Sequence, residues 1–242
     1  MEKLFEVVYE DPELLVINKP AGLVCHPTKG DALSSLISRV RLHCGNNASA
    51  HLINRLDRET SGVVLVAKNP EAAGELGKIW ESRAVNKEYL AIVHGHLRET
   101  SGVIDAPLGK DLQSRVAIKD CVRPDGAVAQ THFEMLRSFS RDGQNFSLLR
   151  VTPRTGRKHQ IRIHLAHIGH AIVGDKIYGA NEDAYLALVE NRLNETHQRE
   201  LILVNHALHA ERLGFRWRHR DWSFSARPEP SFSEFAAISS DN

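Results

Sequence analysis

Cysteine and aromatic residues are scarce in this sequence of 242 residues, and no long apolar run occurs in it. The three cysteines (Cys25, Cys44, Cys121) are odd in number and widely spaced, which excludes a disulfide framework and a zinc-ribbon pattern. They read as reduced thiols of a cytoplasmic protein. The longest apolar stretches, such as Val63 to Ala67, are far too short to span a bilayer. The amino terminus, Met-Glu-Lys-Leu-Phe-Glu, is acidic and strand-like, so no secretory signal is expected. An excess of one charge is missing too: 31 Lys+Arg stand against 30 Asp+Glu. This balance excludes a protein that coats nucleic acid through bulk positive charge; such a partner would need a local basic surface. What is present, 42% hydrophobic and 25% charged residues, suits a globular chain long enough to bury a core.

Periodicity and punctuation predict strands at Leu4–Val8 and Leu14–Asn18, with a turn at Asp11-Pro12 between them. Asp31 is expected to cap a helix carrying Leu33, Leu36, Ile37 and Val40, which Gly45-Asn46-Asn47 ends. Val63 to Ala67 reads as a buried strand, and Asn69-Pro70 as the start of a helix running to Ser82. Further strands are expected at Glu88–Val93, Thr131–Leu136 and Phe146–Val151, the last two as a pair. A helix from His159 to Ile168 should close at Gly169. Asn181–Glu200 reads as a surface helix with Leu186, Val189 and Leu193 on one side. Strands return at Ala207–Leu213 and Gly214–Trp217. Without regular βαβ alternation, the pattern predicts an α+β fold with a mixed, mostly antiparallel sheet. One domain is expected over 1–225, with 181–200 as a helical insertion and 226–242 as a loose polar tail.

Two segments stand out chemically. Asn54 to Gly62 places four charges and two hydroxyls directly before the most apolar strand, where charged groups face a cleft while the strand anchors them. Asp57, between Arg55 and Arg58, is a carboxylate kept ionised by its neighbours, which suits a nucleophile better than a general acid. A salt-bridged surface loop is the other reading of the same residues. Arg154 to Arg162 places four permanent cations (Arg154, Arg157, Lys158, Arg162) around Thr155-Gly156, an anion or phosphate site at a helix start. His164, His167 and His170 recur at every third residue, but steps of about 100° per residue rotate them away from a shared face, and no acidic or cysteine ligand completes a metal set.

Together these segments resemble the RluA-type family of RNA pseudouridine synthases. The Arg-Leu-Asp-x-x-Thr-Ser-Gly signature of that family is matched by Arg55, Leu56, Asp57, Thr60, Ser61 and Gly62. Its Lys-x-Tyr block is matched by Lys87 and Tyr89, with Gly95 after the strand. Thr-Gly-Arg-x-His-Gln-Ile-Arg-x-His is matched without a gap from Thr155 to His164, and Gly-Asp-x-x-Tyr-Gly follows at Gly174–Gly179. Val16 to Gly22 resembles the entry strand and loop, and Leu208 to Phe215 the closing strand. One departure is visible: Asn54 stands where the family usually has His.

The resemblance implies the pseudouridine synthase catalytic fold, with its cleft across the sheet and no S4-like module ahead of it. It implies a uridine-isomerising enzyme that needs no cofactor and no metal. Asp57 would be the catalytic carboxylate, Arg162 would pair with it, and Tyr89 would lie against the uracil and shuttle a proton. Arg55 would fill the stack left by a flipped-out base. Substrate contacts are implied for Arg58, Lys87, Arg157 and Lys158, and for His159, Gln160 and Ile161. The segment Arg216–Arg220 is a further candidate for phosphate contacts. The partner would be RNA, a tRNA or rRNA stem-loop, recognised by a monomer with no membrane contact. Two rival classes are a catalytically weak RNA-binding or chaperone protein with the same fold, and a hydrolase acting on nucleotides. A bare binding module has no need of a carboxylate facing phosphate, and the hydrolase lacks a second carboxylate or metal set.

Overall fold

The computed structural model describes residues 5–27, 34–45, 49–179 and 182–237. In chain order the elements are β1 (Glu6–Glu10), β2 (Leu14–Lys19), α1 (Leu36–Cys44), β3 (His51–Leu52), β4 (Ser61–Ala67), α2 (Pro70–Glu81) and β5 (Val85–His94). Then come β6 (Ser101–Asp105), β7 (Leu108–Lys110), β8 (Asp120–Val122), β9 (Gln130–Arg141) and β10 (Gln144–Pro153). The chain finishes with α3 (Gln160–His167), α4 (Asp183–Val189), α5 (Glu195–Leu201), β11 (Leu208–Trp217), β12 (Arg220–Ser225) and α6 (Pro230–Phe235). This is an α+β architecture in which every strand pairing but one is antiparallel among the described registers.

The chain divides into two compact units, one of residues 1–88 with 209–230 and the other of 89–208 with 231–242, where a single domain over 1–225 is expected from the sequence. In the first unit β4 is central and buried at all seven positions. It pairs antiparallel with β2, so that Lys19 stands opposite Gly62, and parallel with β11, so that Ala210 also stands opposite Gly62. Leu14, Val16, Val63 and Leu65 form its core with Leu76 of α2 and the aromatic residues of β11 and β12. Asn69 caps α2 by accepting from the Ala72 N–H at 2.8 Å, with Pro70 at the first position, as the sequence predicts. The cap of α1 differs from expectation. It is Ser35, whose hydroxyl accepts from the Ser38 N–H, while Asp31 and Leu33 lie outside the described residues.

In the second unit β5, β10, β9 and β6 pair antiparallel in that order, and β7 pairs with β8. β9 and β10 meet through Asp142-Gly143, both at positive φ, the geometry of a tight hairpin turn. Ile161 and Leu165 of α3 pack on a core of Ala91, Val93, Leu149 and Val151.

Three expectations are corrected. The 181–200 segment is two short helices, because Asn191 turns the chain at φ +54° and Asn194 restarts it with a capping box to His197. Its buried residues are Ala184, Ala187 and Leu201, whereas Val189 is exposed. The tail is not loose at 230–237: α6 buries Phe232 and Phe235, and Phe235 stacks edge-on against Phe146 with ring centroids 5.1 Å apart. The Ala207–Trp217 region is one strand, β11, which turns back into β12 at Arg218-His219.

Candidate active site

The loop 54–62 sits at the entrance to β4, held by neutral and charged groups of its own unit. Asn54 accepts from the Leu65 N–H at 2.7 Å and donates to the Val63 carbonyl at 3.1 Å. Its amide thus staples the start of the loop to the strand, a task that needs one donor and one acceptor and no titratable ring. The Leu56 N–H and carbonyl both meet the buried Cys25 thiol at 3.4 Å. The Thr60 N–H donates to the Asp57 carbonyl at 3.2 Å, closing a turn beneath the carboxylate.

Lys19 is among the largest fully buried side chains of the described residues. Its ammonium donates to the carbonyls of Pro20 (2.9 Å), Leu23 (2.8 Å) and Arg58 (3.1 Å), tying the 19–23 turn to the loop. Burial pulls its pKa down to about 8, against the opposing charges of Cys25, Glu229 and Asp57. Arg58 completes the tie by donating from Nε to the Gly22 carbonyl at 3.2 Å. Arg55 and Arg58 are exposed and Asp57 is half-buried, so a fixed backbone presents two cations around one carboxylate. Lys87, on β5, is half-buried, and burial lowers its pKa.

Below the loop, Ser61 and His209 are buried together. The Ala226 carbonyl can only accept, so His209 Nε2 carries the proton that reaches it at 2.9 Å. Nδ1 then accepts from the Ser61 hydroxyl, also at 2.9 Å. Burial pulls the imidazole pKa down to about 4, only partly offset by the Ala226 carbonyl. An unfolded imidazole titrates near about 6.5, so the unfolded chain takes up this proton first as pH falls. The contribution of His209 is therefore complete above about pH 6.5 and is lost as pH falls toward about 4, on the order of 3 kcal/mol in all. A histidine NMR titration, with the resonance assigned by its loss in His209→Asn, should show a midpoint near 4; a midpoint above 6 would contradict this account.

In the second unit the segment 154–164 is organised from inside. Gln160 is buried and uses both ends of its amide. Its Oε1 accepts from the Thr155 hydroxyl (2.6 Å) and the Arg157 N–H (3.0 Å), and its Nε2 donates to the Gln130 carbonyl and the Thr131 hydroxyl (both 2.9 Å). The Thr131 hydroxyl passes its own proton to His164 Nδ1 (2.8 Å), and His164 Nε2 donates to the Ala106 carbonyl (2.9 Å). The side-chain polar atoms of Thr131, Thr155, Gln160 and His164 are thus hydrogen-bonded to one another and to the backbone, which stiffens the loop. It also means that one N–H expected to face an anion, that of Arg157, is taken by Gln160.

Arg162 projects from the first turn of α3 and is buried with Asp175 in a two-pronged pair, Nε to Oδ2 at 2.7 Å and Nη2 to Oδ1 at 2.9 Å. Burial would raise the Asp175 carboxyl, but the Arg162 charge and its hydrogen bonds overcome this and hold it well below the ordinary carboxylate range. The Tyr178 ring lies 5.1 Å from the guanidinium carbon. Its hydroxyl accepts from the Asp120 N–H (3.3 Å) and shares a hydrogen bond with Nδ1 of His159 (2.9 Å), which caps α3 with φ +55°. Lys158 pairs with Asp120 at 2.9 Å, and exposed Arg157 donates to the Val128 carbonyl at 3.1 Å. Ile161 is buried in the core of this unit, and Tyr89, opposite Val151 on β5, packs beside it with Phe133.

The predicted residues therefore fall into two sets: Arg55, Asp57, Arg58 and Lys87 in the first unit, and Tyr89, Arg157, Lys158, His159, Gln160, Ile161 and Arg162 in the second. The Arg216–Arg220 segment is the tip of the β11–β12 hairpin, and Arg218 there is committed to Glu13 (2.9 Å), Glu75 (2.8 Å) and Glu71 (3.6 Å). That carboxylate setting does not suit a phosphate clamp. Of the three spaced histidines, His164 belongs to the Gln160 chain, His170 donates from Nδ1 to the His94 carbonyl at 2.8 Å, and His167 is exposed. Among the described residues no cluster of three or more His, Cys, Asp or Glu is placed to hold a metal, and no helix is long and apolar enough to cross a membrane. Sequence reasoning gives no role to Lys19, His209 or Asp175, although all three fall inside matched blocks.

Comparison with known proteins adds a second line. Residues 13–167 match the family described as RNA pseudouridylate synthase. The chain is 36% identical over 217 residues to ribosomal large subunit pseudouridine synthase D of Zymomonas mobilis, covering 87% of this chain and 64% of that protein. It is 37% identical over 180 residues to an uncharacterized RNA pseudouridine synthase of Bacillus subtilis, covering 72% of this chain and 57% of the other. The chain thus spans less than two thirds of these relatives. Among solved structures, human RNA pseudouridylate synthase domain containing 1 matches with a TM-score of 0.75 at 25% identity, over 96% of this chain and 88% of that one.

Proposed function

Since this chain belongs to the RNA pseudouridylate synthase family, we propose that it isomerises uridine to pseudouridine in structured RNA, with Asp57 as the catalytic carboxylate. The observation that carries this reading is the pinned loop: a half-buried carboxylate between two exposed arginines, its backbone tied to β4 and to Lys19. A protein that only bound RNA would gain nothing from holding a carboxylate rigidly beside its phosphate-binding cations.

The reaction breaks the N1–C1′ bond, turns the uracil, and joins C5 to C1′, after which the C5 proton leaves and N1 takes one up. Nothing is oxidised and no atom is added. Asp57 serves as the ionised group for that sequence, whether it attacks the sugar, attacks the base or promotes a glycal route. Arg162 keeps the carboxylate ionised, and Tyr89 stacks on the uracil and moves the proton. Arg55 occupies the stack from which the uridine has turned out. Arg58, Lys87, Arg157, Lys158 and His159 contact the RNA, while buried Gln160 and Ile161 serve by fixing the segment that carries Arg162.

The sequence alone favours a tRNA arm or an rRNA stem-loop as target. Relatives named for the large ribosomal subunit support ribosomal RNA of the two. The test is incubation of the purified protein with unmodified large-subunit rRNA, and separately with unmodified tRNA, in the presence of EDTA. Chromatography of the nucleoside digest separates pseudouridine from uridine of equal mass. Pseudouridine is expected from the rRNA; its appearance from tRNA alone would move the target, and its absence from both would overturn the function.

A further inference from the structure

The buried Asp175 carboxylate receives four hydrogen bonds. Besides the two prongs of Arg162, its Oδ1 accepts from the backbone N–H of Ile177 (2.9 Å) and of Tyr178 (3.0 Å). The turn that carries it is built tightly at both ends. A Cβ at Gly174, where φ is +80°, would stand 2.6 Å from the Asn205 carbonyl oxygen, and one at Gly179 would stand 2.4 Å from that of Asp175. A buried ion pair is a poor way to gain stability, because desolvation consumes most of the attraction and apolar side chains of similar volume often do as well. What such a pair supplies is direction. The Asp175 fork fixes the plane of the guanidinium through Nε and Nη2, and the Tyr178 ring covers it from 5.1 Å.

The geometry points to Asp175 as a positioning residue for the isomerisation: it fixes the plane and direction of the guanidinium of Arg162, the arginine assigned to the reaction above, and acts only through it. This rests on the isomerase reading, and it adds to it a residue that acts only through another. A fork displaced by about 1 Å costs a positioned reaction on the order of 100-fold in rate.

The test compares kcat and KM for the wild type, Asp175→Asn, Asp175→Glu, Arg162→Lys and the Asp175→Asn/Arg162→Lys double variant, each at a temperature where melting shows it folded. Glu keeps the charge and moves the fork by one methylene, so it serves should Asn fail to fold. Both single changes at 175 are expected to lower kcat about 100-fold with KM within about threefold. In the Arg162→Lys background, which has no fork to hold, Asp175→Asn should lower kcat no further than about threefold. The Arg162 Nε–H resonance, sharp and protected in the wild type, should be lost in Asp175→Asn. An active wild type whose Asp175 variants turn over normally, or whose double variant shows independent losses, overturns the role of Asp175 alone. So does an unchanged Nε–H resonance, and so does loss of the fold in both variants, which would make Asp175 a residue of the core only. A wild type that makes no pseudouridine overturns the isomerase reading first, and this inference with it.

Discussion

Asp57→Asn is expected to lower pseudouridine formation by about 10⁴-fold or more while leaving RNA affinity intact. The amide is nearly isosteric with the carboxylate, and several other groups hold the loop. The Thr60 N–H binds the Asp57 backbone carbonyl, Asn54 holds the loop to β4, and Lys19 and Cys25 hold the neighbouring residues. What the substitution removes is one negative charge beside two exposed arginines. RNA binding should therefore stay level or tighten slightly, with the salt dependence set by the cations unchanged. Filter binding and single-turnover assays on the same RNA separate the two effects. Turnover within threefold of the wild type would remove Asp57 from the chemistry, and parallel loss of binding and turnover would make it a structural residue.

Gly62→Ala is expected to be the most damaging small substitution in the first unit. At φ +115° an added Cβ would stand 2.2 Å from the Ala210 carbonyl oxygen, 2.6 Å from its nitrogen and 2.7 Å from its carbonyl carbon. All three are backbone atoms of the strand that pairs in parallel with β4 at this residue, so nothing flexible can give way. The strain and overpacking together should cost about 4 kcal/mol or more, a melting temperature lower by roughly 8–16 °C in a chain of this size. Gly77→Ala supplies the opposite sign. It lies in α2 with nothing within 4 Å of the added methyl, so it should stabilise by about 0.5–1 kcal/mol. Equal effects of the two substitutions would contradict the close approach of β4 and β11.

Much of this was legible in the sequence where the signal is local. The apolar β-branched run at 63–67, the Asn69-Pro70 cap and the β9–β10 pair each rest on neighbours in the chain, and each forms as expected. The errors lie where a turn uses residues that do not advertise it. Arg218-His219 reverses the chain at φ +47° and +61° without glycine, and so β12, with its alternating Trp222 and Phe224, is not among the strands expected from the sequence. Asn194 closes its capping box with His197 rather than an acidic residue, which hid the break between α4 and α5. Pro, Ser and Glu around 227–234 suggest a loose tail, while Phe232 and Phe235 bury the end of it.

The candidate site divides in the same way. Its residue types and spacing are in the sequence, but what holds them is not. Lys19 is a lysine, expected at the surface, and only the register opposite Gly62 brings its ammonium to three carbonyls. Gln160 reads as a polar residue in a basic stretch, and its commitment to Gln130, Thr131, Thr155 and Arg157 depends on strands some thirty residues away. Asn54 departs from the pattern of the family, yet the two backbone bonds it makes need no more than an amide.

The central claim is that this chain converts uridine to pseudouridine through Asp57. It is tested most directly by mapping pseudouridine at single-nucleotide resolution in total RNA from cells that lack the gene, and from the same cells supplied with wild-type protein or with Asp57→Asn. The account predicts that at least one uridine loses its modification without the gene, regains it with the wild type, and stays unmodified with Asp57→Asn. A map that is the same in all these cells, or one restored equally by Asp57→Asn, would contradict it.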